Sequence, residues 1–319
     1  MRRIAILGAG TMGHALALVF ALGGHEVKLT DTDGQALERA GELMQQALAT
    51  LRQAGLVDAS WNSGRLDQAV RRVARLEEAL AGAEIIVEAI IEQPAAKRAL
   101  FSAVDALASP EAILASNTSY LDVFPLIPPK RRRRALIAHW YTPPYLVDLV
   151  DIVGSSETDP KAIEEMRALV AAMGKVPVVM RRFIPGYIAN RIQTAITLEV
   201  NRLLDEGYAD PRDIDEAVIH GLALRLPILG VLAKADFTGL KLIADALANR
   251  TYEPPDPGKR STTLEALLAK GRDGVLAGRG YFDWNEDPSA LFAERDRRLI
   301  ALKAALKTLG GPIRPRTVT

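Results

Sequence analysis

The chain has 319 residues, 49% of them hydrophobic and 25% charged, with a formal net charge of +1. That length predicts two domains, and so small a net charge argues against nucleic acid as the main partner, because phosphate binding needs a concentrated positive field. The absence of cysteine removes disulfides and thiolate metal sites and suits a cytoplasmic protein, and four scattered histidines argue against a metal centre.

Met1-Arg2-Arg3 leads into IAILGAG, an apolar stretch too short for the core of a secretion signal. No window of about 18 uncharged apolar residues occurs, so no membrane span is expected. The first elements instead read as strand, glycine turn, helix and strand. Arg3 to Leu7 has a buried-strand pattern, Thr11 to Leu22 a helical one, and Glu26 to Thr30 form a second strand that ends at Asp31. Between the first strand and the helix stand Gly8, Gly10 and Gly13 in G-x-G-x-x-G spacing. The spacing alone is common in a chain this rich in glycine; its setting gives it force. Gly8 suits the tight turn, Gly10 a close pyrophosphate, and Gly13 helix-to-strand packing. The helix N-terminus favours the phosphates. Asp31 suits both adenosine ribose hydroxyls and repels a 2′-phosphate, so the expected cofactor is NAD.

Helices are expected over 35–56, 64–81, 94–107 and 158–173. Strands are expected at 83–90, 112–119, 136–140, 146–153 and 176–180. This alternation predicts a mostly parallel sheet of Rossmann type, with ligands at the carboxyl ends of its strands, where Asp31, Glu92, Ser119 and His139 fall. The basic run Lys130-Arg131-Arg132-Arg133-Arg134 reads as a solvated loop. After Pro185-Gly186 the strand pattern stops. Helices are expected over 186–206, 211–221, 228–249 and 261–270, then a glycine-rich turn region at 271–284 and a charged helix over 287–309, with a surface loop at 251–260. The domains expected are therefore 1–184, an NAD-binding domain, and 185–319, an all-helical one.

A histidine beside apolar residues is ordinarily a packed, hydrogen-bonded core residue. His139, in IAHWYTPPYLVDLVDIV, has a setting that suggests more, since two carboxylates return along the next strand. Its side chain titrates near neutrality and can remove a hydroxyl proton. By two-residue alternation Asp151 and Asp148 point to opposite faces, so only one of them can face the histidine.

The motifs GAGTMG, VEAIIE, SNTS, AHWYTPPYLVDLVDIV, IPGYIANRI and GRGYFDW, taken together and in order, resemble the 3-hydroxyacyl-CoA dehydrogenase family from residue 3 to about residue 284. The turn Thr142-Pro143-Pro144-Tyr145 and GLALRLPILG look closer to its lambda-crystallin/L-gulonate 3-dehydrogenase branch. The resemblance implies a catalytic dyad of His139 and Asp151, aided by Ser119 and Asn190. It also implies a cofactor site of Gly8, Gly10, Thr11, Met12, Gly13, Asp31, Glu92 and Lys97. Two departures stand out: Asp151 is one methylene shorter than the usual glutamate, and Thr142 replaces an asparagine. Family breadth puts a 3-hydroxyacyl-CoA substrate first. The alternative is a small free 3-hydroxy acid such as a sugar acid or carnitine-like molecule, its carboxylate gripped by Arg225. A non-catalytic, crystallin-like NAD-binding protein is the third reading. A homodimer formed through the helical domain is expected.

Overall fold

A computed structural model describes residues 1–249 and 252–313. Two compact units emerge, Met1–Ala189 and Asn190–Thr319.

The first unit is built on one sheet of eight strands, in the order β3-β2-β1-β4-β5-β6-β7-β8. Its strands are β1 (Arg3–Leu7), β2 (Glu26–Thr30), β3 (Val70–Val73), β4 (Ile85–Glu88), β5 (Ile113–Ser116), β6 (Ala135–Trp140), β7 (Leu149–Val153) and β8 (Val176–Met180). Neighbours run parallel except for the antiparallel pair β6–β7. Helices α1 (Gly13–Leu22), α2 (Gly34–Gln53), α3 (Ser63–Ala69), α4 (Leu76–Leu80), α5 (Pro94–Leu107) and α6 (Pro160–Ala172) connect them. This is the doubly covered α/β arrangement that the alternation predicts. Strands β4, β5 and β6 are buried along their whole length, as suits central strands covered on both faces.

Three local expectations change in this unit. The helix expected over 64–81 is instead α3, β3 and α4. Val70 and Val73 are three residues apart, a spacing that reads as helical, yet both are buried by a short edge strand paired with β2. The strand expected from residue 146 begins at Leu149, because the N–H groups of Leu146 and Val147 both turn back to Pro143 O.

The basic run is a 3₁₀ turn, Pro129–Arg134, rather than a solvated loop. Arg131 is 2% exposed, donates to the carbonyls of Ala108, Ser109 and Ala112, and pairs with Asp105. Arg132, Arg133 and Arg134 pair with Glu157, Asp159 and Glu165. The charges staple the loop to its neighbours.

The second unit is helical: α7 (Ala189–Asp205), α8 (Pro211–Ala217), α9 (Leu226–Thr238), α10 (Leu240–Ala248), α11 (Thr262–Ala269) and α12 (Pro288–Thr308). A π-helical turn, Val218–Ala223, continues α8. The single helix expected over 228–249 is two, divided at Gly239 with φ +99°, and α9 is itself bent at Gly230 with φ +67°. Left-handed backbone at these positions interrupts the helix and costs a glycine little. Thr251, at the head of the expected surface loop, lies outside the described residues. Among the described residues no single helix is long and apolar enough to cross a membrane.

Candidate active site

The glycine turn lies between β1 and α1. Gly8 has φ +103°, and a Cβ there would stand 2.6 Å from Ala89 O. A Cβ on Gly13 would stand 1.7 Å from Gly8 O, so helix and turn touch backbone to backbone. Around Gly10 a Cβ would meet nothing within 4 Å. Two glycines are thus required by the protein's own packing, whereas the third faces open space. That space belongs to a cavity of about 770 Å³ lined by Gly8, Gly10, Thr11, Met12, Asp31 and Thr32, with Ala89, Ile90 and Ile91 among its apolar residues. Asp31 is fixed at its edge, Oδ2 accepting from Ala9 N at 2.7 Å and Oδ1 from Asp33 N at 2.9 Å. A cradle left open at the glycine whose side chain is missing, next to an oriented carboxylate, fits a dinucleotide.

Glu92 and Lys97 belong to a polar cluster behind this crevice. Lys97 is 1% exposed and bridges two carboxylates, 2.6 Å from Glu88 Oε1 and 3.2 Å from Glu92 Oε2. Glu88 also accepts from Ser116 Oγ and Ile90 N. Glu92 Oε1 accepts from Thr118 Oγ1 and from the N–H groups of Ser119, Tyr120 and Leu121. Burial pushes the Glu92 carboxyl upward, but these donors and Lys97 outweigh it and bring it down to about 2. The cluster ties the turn after β5, which carries Ser119, to the loop after β4.

Beyond that turn lies the histidine. His139 and Asp151 are cross-strand partners in the antiparallel β6–β7 pair, so their side chains share one face. Ser119 Oγ is 3.2 Å from His139 Nε2, and Asp151 Oδ2 is 3.4 Å from His139 Nδ1. Both members of the pair are nearly sealed, at 3% and 0% exposed. Asp148 is turned elsewhere, towards Lys175 Nζ at 3.2 Å. The Thr142 hydroxyl contacts Met12 Sδ, joining the turn after β6 to the glycine loop.

Two aromatic groups join this constellation without having been singled out by sequence. The Tyr141 hydroxyl donates to Asp151 Oδ2 at 2.6 Å. Tyr187, with φ +51° and fully buried, lays its ring beside His139 and donates to Thr118 O. Gly186 N donates to Ser119 O, so the Pro185-Gly186-Tyr187 segment braces the Ser119 turn. The signal for Tyr141 was its place two residues after the histidine, and for Tyr187 its place in the IPGYIANRI motif.

Asn190 and Arg225 lie in the second unit. Asn190 is in the first turn of α7, where its carbonyl accepts from Thr194 Oγ1. Arg225 is exposed at the start of α9 and forms no ion pair among the described residues.

A mostly parallel sheet with a glycine cradle at its first turn defines a dinucleotide-binding protein. More narrowly, the chain belongs to the 3-hydroxyacyl-CoA dehydrogenase family, whose NAD binding domain model matches residues 3–183 and whose C-terminal domain model matches residues 186–284. It is an NAD-dependent oxidoreductase. It is 28% identical to 5-formyl-3-hydroxy-2-methylpyridine 4-carboxylate 5-dehydrogenase of Mesorhizobium japonicum, over 96% of this chain and 99% of that protein. A crystal structure of a 5-dehydrogenase of that pyridine carboxylic acid, described as an NAD+-dependent dismutase, superposes with a TM-score of 0.86, covering 96% of this chain and 99% of that one. L-carnitine dehydrogenase of Streptomyces coelicolor is 29% identical over 97% of this chain and 96% of its own. The (S)-3-hydroxybutyryl-CoA dehydrogenase of Ralstonia eutropha is similar at a TM-score of 0.70 and 25% identity, over 90% of this chain and 100% of that one.

Proposed function

We propose that this chain oxidises a small, free 3-hydroxy acid with NAD, and that a CoA thioester is not its substrate. The fold alone does not separate the two. A CoA nucleotide would draw on the arginines between residues 39 and 75, which make local contacts. Arg39 pairs with Asp33 and Arg71 with Glu78. Arg65 covers the Trp61 ring, and Arg72 donates to Leu37 O. Arg52 and Arg75 form no ion pair among the described residues. The observation that carries the reading is the similarity, over nearly the whole chain, to enzymes named for a pyridine carboxylate and for carnitine.

In this reading neutral His139 takes the hydroxyl proton through Nε2 as the carbinol carbon gives up its hydride, and returns it in the reductive direction. NAD, when bound, supplies the hydride acceptor. Ser119 Oγ orients the substrate oxygen. Asp151 fixes the tautomer with Nδ1 protonated and stabilises the imidazolium that forms. Asn190, from the family motif, is assigned to the same oxygen, and Arg225 to the substrate carboxylate. The test is a screen read by NADH absorbance, with free 3-hydroxy acids beside 3-hydroxyacyl-CoA thioesters. Turnover of the thioesters alone would remove the proposal. On a free acid, Arg225→Met lowers kcat/KM by roughly 30-fold or more, as expected for a charge-assisted pair that forms with the substrate carboxylate and is desolvated on binding. An unaltered value removes the carboxylate grip.

We further propose a homodimer formed through the second unit. Helices α9, α10 and α11 bury no residue fully, and Leu232, Phe237, Leu240, Leu242 and Leu247 are exposed. Apolar surface on that scale marks an interface. Light scattering gives twice the chain mass of 34.6 kDa if this holds, and the chain mass itself if it does not.

A further inference from the structure

His139 lies between two tyrosine rings, Tyr141 edge-on and Tyr187 tilted, each with its centroid 4.6 Å away. Their hydroxyls have different tasks. That of Tyr187 is committed to Thr118 O. That of Tyr141 donates to Asp151 Oδ2 at 2.6 Å, the length of a strong charge-assisted bond, while His139 Nδ1 stands 3.4 Å from the same oxygen. The other carboxylate oxygen, Oδ1, is buried and has no hydrogen-bond partner among the described residues. The carboxylate is thus held mainly by the tyrosine, and its contact with the histidine is the longer one.

We propose that Tyr141 is a positioning residue that acts on His139 through Asp151. Its hydroxyl keeps Oδ2 of a short carboxylate turned towards the histidine. It also draws charge from that oxygen, so the imidazolium is stabilised less and the neutral base persists to lower pH. Tyr141 and Asp151 therefore form one unit: a glutamate in place of Asp151 would drive its extra methylene into space the tyrosine hydroxyl occupies. This rests on His139 being the base. The other polar groups facing His139 are Ser119 Oγ and Tyr187 itself, and the carboxylates of Glu92 and Asp122, with Asp151, act on the Tyr187 ring stacked against it. None of them is changed by the variants below, apart from Asp151 itself.

The sign follows from the charge. With Tyr141→Phe, Asp151 keeps its full charge for His139, the protonated histidine gains, and the acid limb of kcat/KM for oxidation moves to higher pH, by about half a unit or more. At optimal pH kcat falls about tenfold, the weight of one lost hydrogen bond, while KM stays within about twofold. Asp151→Glu alone loses at least about tenfold, and Tyr141→Phe/Asp151→Glu together recover most of that loss, a coupling that independent sites do not show.

A second readout needs no substrate. With four histidines in the chain, the His139 ring proton is assigned in NMR spectra by its loss in His139→Gln. Its titration midpoint rises in Tyr141→Phe. Should that variant fold poorly by thermal melting, 3-fluorotyrosine at position 141 supplies a stronger donor in nearly the same space and moves the midpoint down. An unmoved midpoint with either substitution, or additive losses in the double variant, overturns the proposal. A His139→Gln protein that keeps its turnover removes the base assignment itself, a separate failure.

Discussion

Lys97 and Glu88 meet inside the first unit as a buried ion pair, 2.6 Å apart, with their side chains 1% and 0% exposed. The family resemblance places Lys97 at the cofactor, and within the protein its ammonium also holds two carboxylates, Glu88 and Glu92, that link the loops after β4 and β5. Removing one member of such a pair leaves an uncompensated charge. Lys97→Met therefore costs about 3–5 kcal/mol in urea unfolding, more than a cofactor contact alone would account for. A variant with unchanged stability and weakened NADH binding would return Lys97 to the cofactor.

The glycine cradle predicts a separation between folding and binding. Gly13→Ala places a Cβ against the Gly8 carbonyl and should lower stability sharply. Gly10→Ala meets no protein atom and should leave the melting temperature unchanged while weakening NADH binding. Isothermal titration beside thermal melting distinguishes the two. Unweakened NADH binding in Gly10→Ala would mean that the open space at Gly10 has no part in binding.

Asp31 should decide between cofactors. Asp31→Ser removes the charge that repels a 2′-phosphate, so NADH affinity falls and the preference over NADPH narrows. Tighter binding of NADPH than NADH by the unaltered protein would contradict the assignment.

For the proposed base, His139→Gln lowers turnover by at least about 100-fold with NADH affinity nearly unchanged. Asp151→Asn also lowers it, whereas Asp148→Asn does less, since Asp148 faces Lys175. Steady-state kinetics on one substrate check all three, and equal losses at the two aspartates would undo the dyad.

Glu92 predicts an acid-sensitive step. Its carboxyl lies at about 2 in the folded chain, below its ordinary 4.5, because Thr118, Tyr120 N–H, Lys97 and Ser119 N–H outweigh burial. A depressed carboxyl contributes stability above its unfolded value and loses it as pH falls towards the folded one. Glu92→Gln should flatten the decline in stability between about 4.5 and about 2 relative to the unaltered protein. Parallel acid-unfolding curves would show that the cluster does not need this charge.

Much of this was legible because a few residue types have narrow uses. Gly8 and Gly13 stand where backbones touch, and only their spacing and flanking patterns were needed to place them. Strand alternation showed that Asp151 and Asp148 face opposite ways, and the family resemblance, not the alternation, chose Asp151 between them. Strand β3 was hidden because Val70 and Val73 fit a helical spacing as well as a short edge strand. The fate of Arg131 depended on carbonyls at 108–112, which no local pattern reveals. Tyr141 escaped notice because its partner is fixed by the register of β6 against β7, a property of the sheet and not of either strand.

That register has a consequence for how such a site can change. His139 and Asp151 stand opposite one another because main-chain ladders hold β6 and β7, not because the segment joining them has a particular length. The connecting turn between Tyr141 and Asp148 can be lengthened, shortened or recomposed while the ladder persists, and the histidine–aspartate pair keeps its geometry throughout. Conversely, slipping the ladder by a single residue would turn the aspartate to the opposite face of the sheet with every helix still in place. The scaffold thus separates two kinds of change: the ladder fixes which side chains face one another, and the turn can be rewritten without disturbing them.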